Sequence, residues 1–145
     1  MGTIHAEITL KNVKDEAIAQ AGHIKSEDIR TATVTAVVDT GAMSLVITEE
    51  LRQKLGLGVV GEKVAKIANG QRVSCKRTDA VEVKWKNRET VIQALVIPGA
   101  QKVLLGVILL EAMDLMVNPV TQELIGVHGD TEEYMVLTPF EEAPV

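Results

Sequence analysis

The sequence predicts an all-β domain with one or two short helices. Three stretches carry this reading: an alternating run near the start, a dense run of β-branched residues at 31–38, and an Asn-Gly pair between apolar residues. Ile4 to Leu10 alternates apolar and polar side chains, as a half-buried strand does. Lys11 to Arg30 is a polar stretch in which Gly22 marks a turn. Thr31 to Val38 is rich in Thr and Val and fits a strand; Val37 and Val38, consecutive apolar residues, place its end deep in the core. The strand stops at Asp39-Thr40-Gly41-Ala42.

Beyond that break, Thr48 is placed to cap a helix running to about Leu55. Glu49 and Glu50 favour its first turn and Gly56 supplies its stop. Val64 to Val73 holds Asn69-Gly70, a hairpin signal because both residue types tolerate positive φ. Strands are expected at Ala80 to Trp85 and Thr90 to Ile97, the second closed by Pro98-Gly99. Val107 to Leu115 carries apolar residues at helical spacing before Asn118-Pro119 ends the pattern.

Composition narrows the function. The chain has 145 residues, 46% hydrophobic and only 2% aromatic, with fifteen Lys and Arg against twenty Asp and Glu. That length suits one domain with a core of Val, Ile, Leu, Ala and Met. Three aromatic side chains cannot supply a stacking platform for single strands, and a formal charge of -5 opposes a phosphate-backbone partner, so no nucleic-acid partner is expected. Apolar runs such as Val103 to Leu110 fall well short of the roughly 20 residues that cross a bilayer, so no membrane partner is expected either. The start lacks a basic region followed by an apolar one, and a lone Cys75 cannot form an internal disulfide. A cytoplasmic location is the expectation.

The chemistry concentrates at Asp39. A carboxylate directly after an apolar strand is costly to bury alone, so something must compensate it. One reading is an ordinary strand-ending turn in which Asp39 bonds its own backbone two residues on. A second signal weighs against a turn alone: some 65 residues later, Leu104-Leu105-Gly106 opens the helical pattern. In this order of features the sequence resembles the retropepsin-like aspartic proteases, which place an apolar strand, then D-T-G-A, then a flap hairpin, then two apolar residues and a Gly opening a helix. The resemblance spans roughly residues 3–125. It implies a closed acid-protease barrel over 1–125, followed by an acidic C-terminal tail at 126–145.

The resemblance also implies roles. Only one D-T-G is present, so the catalytic pair would form from Asp39 and its symmetry mate in a homodimer, with the active site at the dimer interface. Such a pair activates water to hydrolyse a peptide bond, with no metal or cofactor required. Thr40 would bond across the dyad and Gly41 would let substrate backbone approach. Ala42 and Met43, with Ile67, Ala68, Asn69 and Gly70 at the flap tip, would contact the substrate. Leu104, Leu105 and Gly106 would pack beneath the catalytic loop. Retroviral members often carry an Asp after D-T-G-A and an Arg after the apolar-apolar-Gly motif, paired near the dimer contact; here these positions are Met43 and Val107. The homodimer and a peptide or protein substrate are therefore the expected partners, and aspartic endopeptidase the expected activity. The alternative from another class is a dimeric β-module that binds extended peptides for interaction or assembly, with little turnover.

Charge is uneven along the chain. Lys63 to Arg88 holds eight basic residues against Asp79 and Glu82, whereas from Glu111 onward there are eight acids and no Lys or Arg. This reads as a solvated strand face with an acidic tail, or as a tail that lies on the basic flap region and competes with substrate. His5, His23 and His128 are scattered and have no Cys or carboxylate at ligand spacing, so no metal site is expected. Cys75 reads as a structural thiol, and Ser44 lacks the G-x-S-x-G elbow of a nucleophile.

Overall fold

The computed structural model describes residues 3–129. In chain order its elements are β1 (Ile4–Asn12), α1 (Val13–Gln20), β2 (Thr31–Val38), β3 (Leu45–Ile47), α2 (Glu49–Leu55), β4 (Val59–Lys66), β5 (Arg72–Trp85), β6 (Arg88–Val96), β7 (Val103–Leu105), α3 (Val107–Ala112), β8 (Leu115–Asn118) and β9 (Glu123–Gly126). A single 3₁₀ turn at Ser26–Asp28 precedes β2. Among the described residues no helix is long and apolar enough to cross a membrane.

Six strands close on themselves in the order β1-β2-β7-β3-β6-β5, and β5 returns to β1. The β2–β7 and β3–β6 pairs are parallel and the rest of the ring is antiparallel. Closure removes the unpaired edges that an open sheet would expose. It also encloses a mainly aliphatic core: Ile8, Leu10, Leu45, Ile47, Val81, Val83 and Leu105 are each at most 1% exposed, and Trp85 is the one aromatic among the buried core residues described. The expected all-β barrel with few short helices is what the chain forms.

Strand β5 is long enough to serve two neighbours. Its second half, Val81 to Lys84, closes the ring against β1, while its first half, Arg72 to Thr78, leaves the ring to pair with β4. The register with β6 shifts between Arg77 and Ala80. At this shift the buried Thr78 Oγ1 donates to the Asp79 carbonyl at 2.8 Å and accepts from the Ala94 N–H at 3.0 Å, so the irregularity leaves these polar groups satisfied. The strand expected at Ala80 to Trp85 is thus the inner half of a longer one.

The helices differ more from expectation. Helix α2 begins and ends as read: Thr48 Oγ1 accepts from the Leu51 N–H at 3.1 Å, and Gly56 closes it at φ +66°. Helix α1 lies in the stretch read as polar and turn-like. Asn12 caps it by accepting from the Asp15 N–H at 3.0 Å, and the buried Asn12 amide donates to the Leu55 carbonyl at 2.8 Å. Its inward anchor is the carboxylate of Asp15, held by two bonds from the Arg30 guanidinium at 2.8 and 2.9 Å, so no apolar period announces it. The helix expected over Val107 to Leu115 stops at Ala112, because Asp114 turns left-handed at φ +57° and Leu115 opens the β8–β9 hairpin.

Residues just past β9 still bind the body. The Val127 N–H donates to the Asp114 carbonyl at 2.8 Å, His128 Nδ1 lies 2.8 Å from Asp114 Oδ1, and the Gly129 carbonyl accepts from the buried Arg88 at 2.6 Å. Most of the acidic tail read at 126–145 lies outside the described residues.

Candidate active site

Asp39 stands one residue beyond the end of β2. The parallel pairing of Val38 with Leu105 is extended by the Asp39 N–H, which donates to the Leu105 carbonyl at 3.1 Å. The side chain is therefore fixed by the ladder rather than by a free loop, and it is half-buried. Its Oδ1 accepts from the Gly41 N–H at 2.9 Å, and its carbonyl accepts from the Ala42 N–H at 3.0 Å. The strand-ending turn is real, and it orients the carboxylate. Oδ2 has no hydrogen-bond partner among the described residues, so one oxygen is held and the other is available for chemistry.

The loop is clamped from below. The Val107 N–H donates to the Ala42 carbonyl at 2.9 Å and the Ile108 N–H donates to the Met43 carbonyl at 3.1 Å. Between them, Gly106 approaches so closely that a Cβ there would lie 2.7 Å from both the Ala42 oxygen and the Ser44 nitrogen. Gly106 has φ -87°, an ordinary value, so its glycine is required by space and not by backbone conformation. Leu105 is fully buried beneath the loop, as a packing residue should be.

The candidate substrate residues fall in two groups. Thr40 and Gly41 are exposed beside Asp39, Ala42 is half-buried, and Met43 is 65% exposed. Ile67, Ala68, Asn69 and Gly70 form the tip of the β4–β5 hairpin; Ile67 is half-buried and the other three are exposed. Among the described residues neither a hydrogen bond nor an ion pair joins this tip to the Asp39 loop. The turn itself differs from a paired positive-φ Asn-Gly. Only Gly70 is left-handed, at φ +83°, while its N–H donates to the Ile67 carbonyl at 2.9 Å and Asn69 Oδ1 accepts from the Gln71 N–H at 2.8 Å. The loop is thus one residue longer than a two-residue hairpin turn, with the asparagine side chain completing it.

Ile108 is the neighbour that sequence reasoning missed. It is 42% exposed and follows the clamp on Met43, so two apolar side chains stand uncovered next to Asp39. It lies in the run of apolar residues at helical spacing, of which the six-residue α3 buries Leu109 and Leu110. Cys75 is buried and burial pushes its thiol pKa up, which keeps it protonated and unreactive. A surface concavity of about 760 Å³ lies elsewhere, between Thr48, Glu62, Lys76 and Pro98.

A six-stranded ring with a D-T-G-A loop leaving its second strand is the arrangement of the retropepsin-like aspartic proteases. The chain belongs to the aspartyl protease family, whose model matches residues 24–109, more than half of its length. Among solved structures it is similar to a retropepsin-like aspartic protease from Rickettsia conorii, with a TM-score of 0.50 and 20% identity over 81% of this chain and 77% of that one. At that identity the likeness is one of fold. No curated protein matches the chain.

Proposed function

We propose that the protein is a homodimeric aspartic endopeptidase in which the two Asp39 carboxylates activate one water molecule. The observation that carries this reading is the held-and-available geometry of Asp39: Oδ1 is fixed by the Gly41 N–H, Oδ2 has no partner among the described residues, and the loop rests on Gly106. One chain supplies a single D-T-G carboxylate, and the mechanism needs two, so the second comes from a second copy of the chain.

In the dimer the two carboxyl groups stand about 3 Å apart, too close for both to ionise, and share one proton. The ionised member takes a proton from water as its oxygen attacks the scissile carbonyl carbon. The protonated member donates to the developing oxyanion. The tetrahedral species then collapses, the C–N bond breaks, and the leaving nitrogen takes a proton from the dyad, which returns to its starting state. Thr40 and Gly41 position the dyad and the substrate backbone. Ala42, Met43 and the tip residues Ile67 to Gly70 line the path of an extended peptide, with the tip excluding water as it closes.

The test is cleavage of an unstructured peptide library by wild type and by Asp39→Asn, with sedimentation of both. Cleavage by a dimeric wild type alone supports the proposal. Equal peptide binding by both proteins with no cleavage by either would favour the peptide-binding module instead. A strict monomer at high concentration would remove the second carboxylate and with it this mechanism.

A further inference from the structure

The hairpin beyond the barrel carries an electrostatic conflict. Lys66 and Arg72 are direct partners across the β4–β5 ladder, on one face and both exposed. Like charges placed directly opposite each other in an antiparallel pair are destabilising. Neither has an ion pair or side-chain hydrogen bond among the described residues, and the nearby exposed Lys63 has none. Other cations of this region are occupied: Lys76 pairs with Glu49 at 3.2 Å and Arg77 donates to Gln93 at 2.9 Å. The acid on β4, Glu62, lies 3.5 Å from the Ser74 hydroxyl, further from the tip. Lys66 and Arg72 bracket the tip, since Lys66 directly precedes Ile67 and Arg72 directly follows Gln71, whereas Lys63, paired with Cys75, lies on the other face of the hairpin. Among the described residues no strand pairs with the outer edge of β4, so an extended chain can lie along it.

We infer that this hairpin selects peptides that carry carboxylates beside an apolar cleavage site, with Lys66 and Arg72 as the specificity-determining cations. The inference rests on the endopeptidase reading and names its substrate class. A carboxylate between Lys66 and Arg72 converts a repulsive pair into an attractive triad, so the charge that costs stability in the free protein is recovered on binding. One stretch of this kind is in the chain's own sequence, where Glu132-Glu133 precede Tyr134-Met135-Val136-Leu137.

The test uses two peptides with the core Tyr-Met-Val-Leu, one flanked by Glu pairs and one by Gln pairs, assayed with the full chain. The expected result is a KM about 5-fold lower for the acidic peptide at low salt, from two exposed charge contacts, with the preference collapsing near 0.5 M NaCl. Lys66→Glu/Arg72→Glu should reverse the preference, while Lys66→Gln alone should raise the urea midpoint by relieving the repulsion. Equal KM values in wild type, or a preference that survives the charge reversal, overturn the inference. If neither peptide is cut, the endopeptidase reading fails, and binding to Asp39→Asn decides the present one: selective retention of the acidic peptide supports it and equal retention overturns it.

Discussion

Gly106 sits under the Ala42 carbonyl so closely that a side-chain carbon would lie 2.7 Å from that oxygen, and the Ser44 nitrogen would be equally near. Both obstacles are backbone, and that backbone is the loop that holds Asp39. Gly106→Ala must therefore move the loop or the start of α3. The expected cost is about 2–3 kcal/mol in urea unfolding, as for other over-filled interiors, with cleavage lost beyond what instability explains. Gly70→Ala gives the contrast, because Gly70 has open space around it but φ +83°. It should cost only about 1 kcal/mol, and Gly70→Asn less.

The geometry of Asp39 separates its structural role from its chemical one. Asparagine keeps an oxygen where Oδ1 accepts from the Gly41 N–H. Asp39→Asn should thus retain stability to within about 0.5 kcal/mol while abolishing peptide cleavage. Asp39→Ala removes the acceptor as well and should lose about 0.5–1 kcal/mol. Thermal unfolding beside an activity assay distinguishes the two; a large destabilisation by Asp39→Asn would contradict the structural half of this argument.

Acid stability is governed by a pair far from the loop. Asp15 accepts from the Arg30 guanidinium and from the Arg30 backbone N–H at 3.0 Å, and the guanidinium above all holds its pKa below the ordinary carboxylate value. A carboxylate depressed in the folded state binds fewer protons there than when unfolded. Its contribution is complete above the unfolded value of about 3.9 and is lost as pH falls through the lower folded value. Arg52 acts on Glu49 in the same direction. Unfolding free energy should be flat between pH 5 and 7 and should fall steeply below about pH 4. Arg30→Gln should cost about 1–2 kcal/mol at pH 7, discounted because the guanidinium is half exposed, and the gap from wild type should narrow at pH 3. Gly56 belongs to the same device, since the Arg30 guanidinium fills the place of its missing side chain.

Much of this architecture is legible from local pattern. The β-branched run at 31–38 is β2 end to end, and Thr48 and Gly56 bound α2 because capping chemistry is carried by single residues. What escaped lacks a local signal. Strand β7 has only three residues and exists through its parallel partner β2 and antiparallel partner β3. Helix α1 is anchored by the ion pair of its buried Asp15 with Arg30 rather than by an apolar stripe, and the β8–β9 hairpin depends on a left-handed Asp114 that no propensity marks. At the candidate site, the D-T-G-A loop stood out because its residue types are chemically constrained. Exposed Ile108 did not, because an apolar side chain in a helical run is read as core until the neighbouring faces are known.

Ile108 and Met43 bear on the remaining prediction, the nature of the dimer contact. They are 42% and 65% exposed and are tied through the Ile108 N–H and the Met43 carbonyl, directly beside Asp39. A two-fold axis that joins the Asp39 loops would bring these side chains against their copies. An apolar contact gains from area removed from water and is insensitive to ionic strength, whereas an ion pair at the same place would weaken with salt. The dimer measured by sedimentation should therefore be as tight in 1 M NaCl as in 0.1 M. Met43→Asp should weaken it at least tenfold, because two copies of a new charge would meet across the axis. Cleavage by this variant should fall most at low protein concentration and recover only in part as concentration rises, because Met43 also lines the proposed path of the peptide. A dimer that dissociates in salt, or that is indifferent to Met43→Asp, would place the contact elsewhere on the barrel.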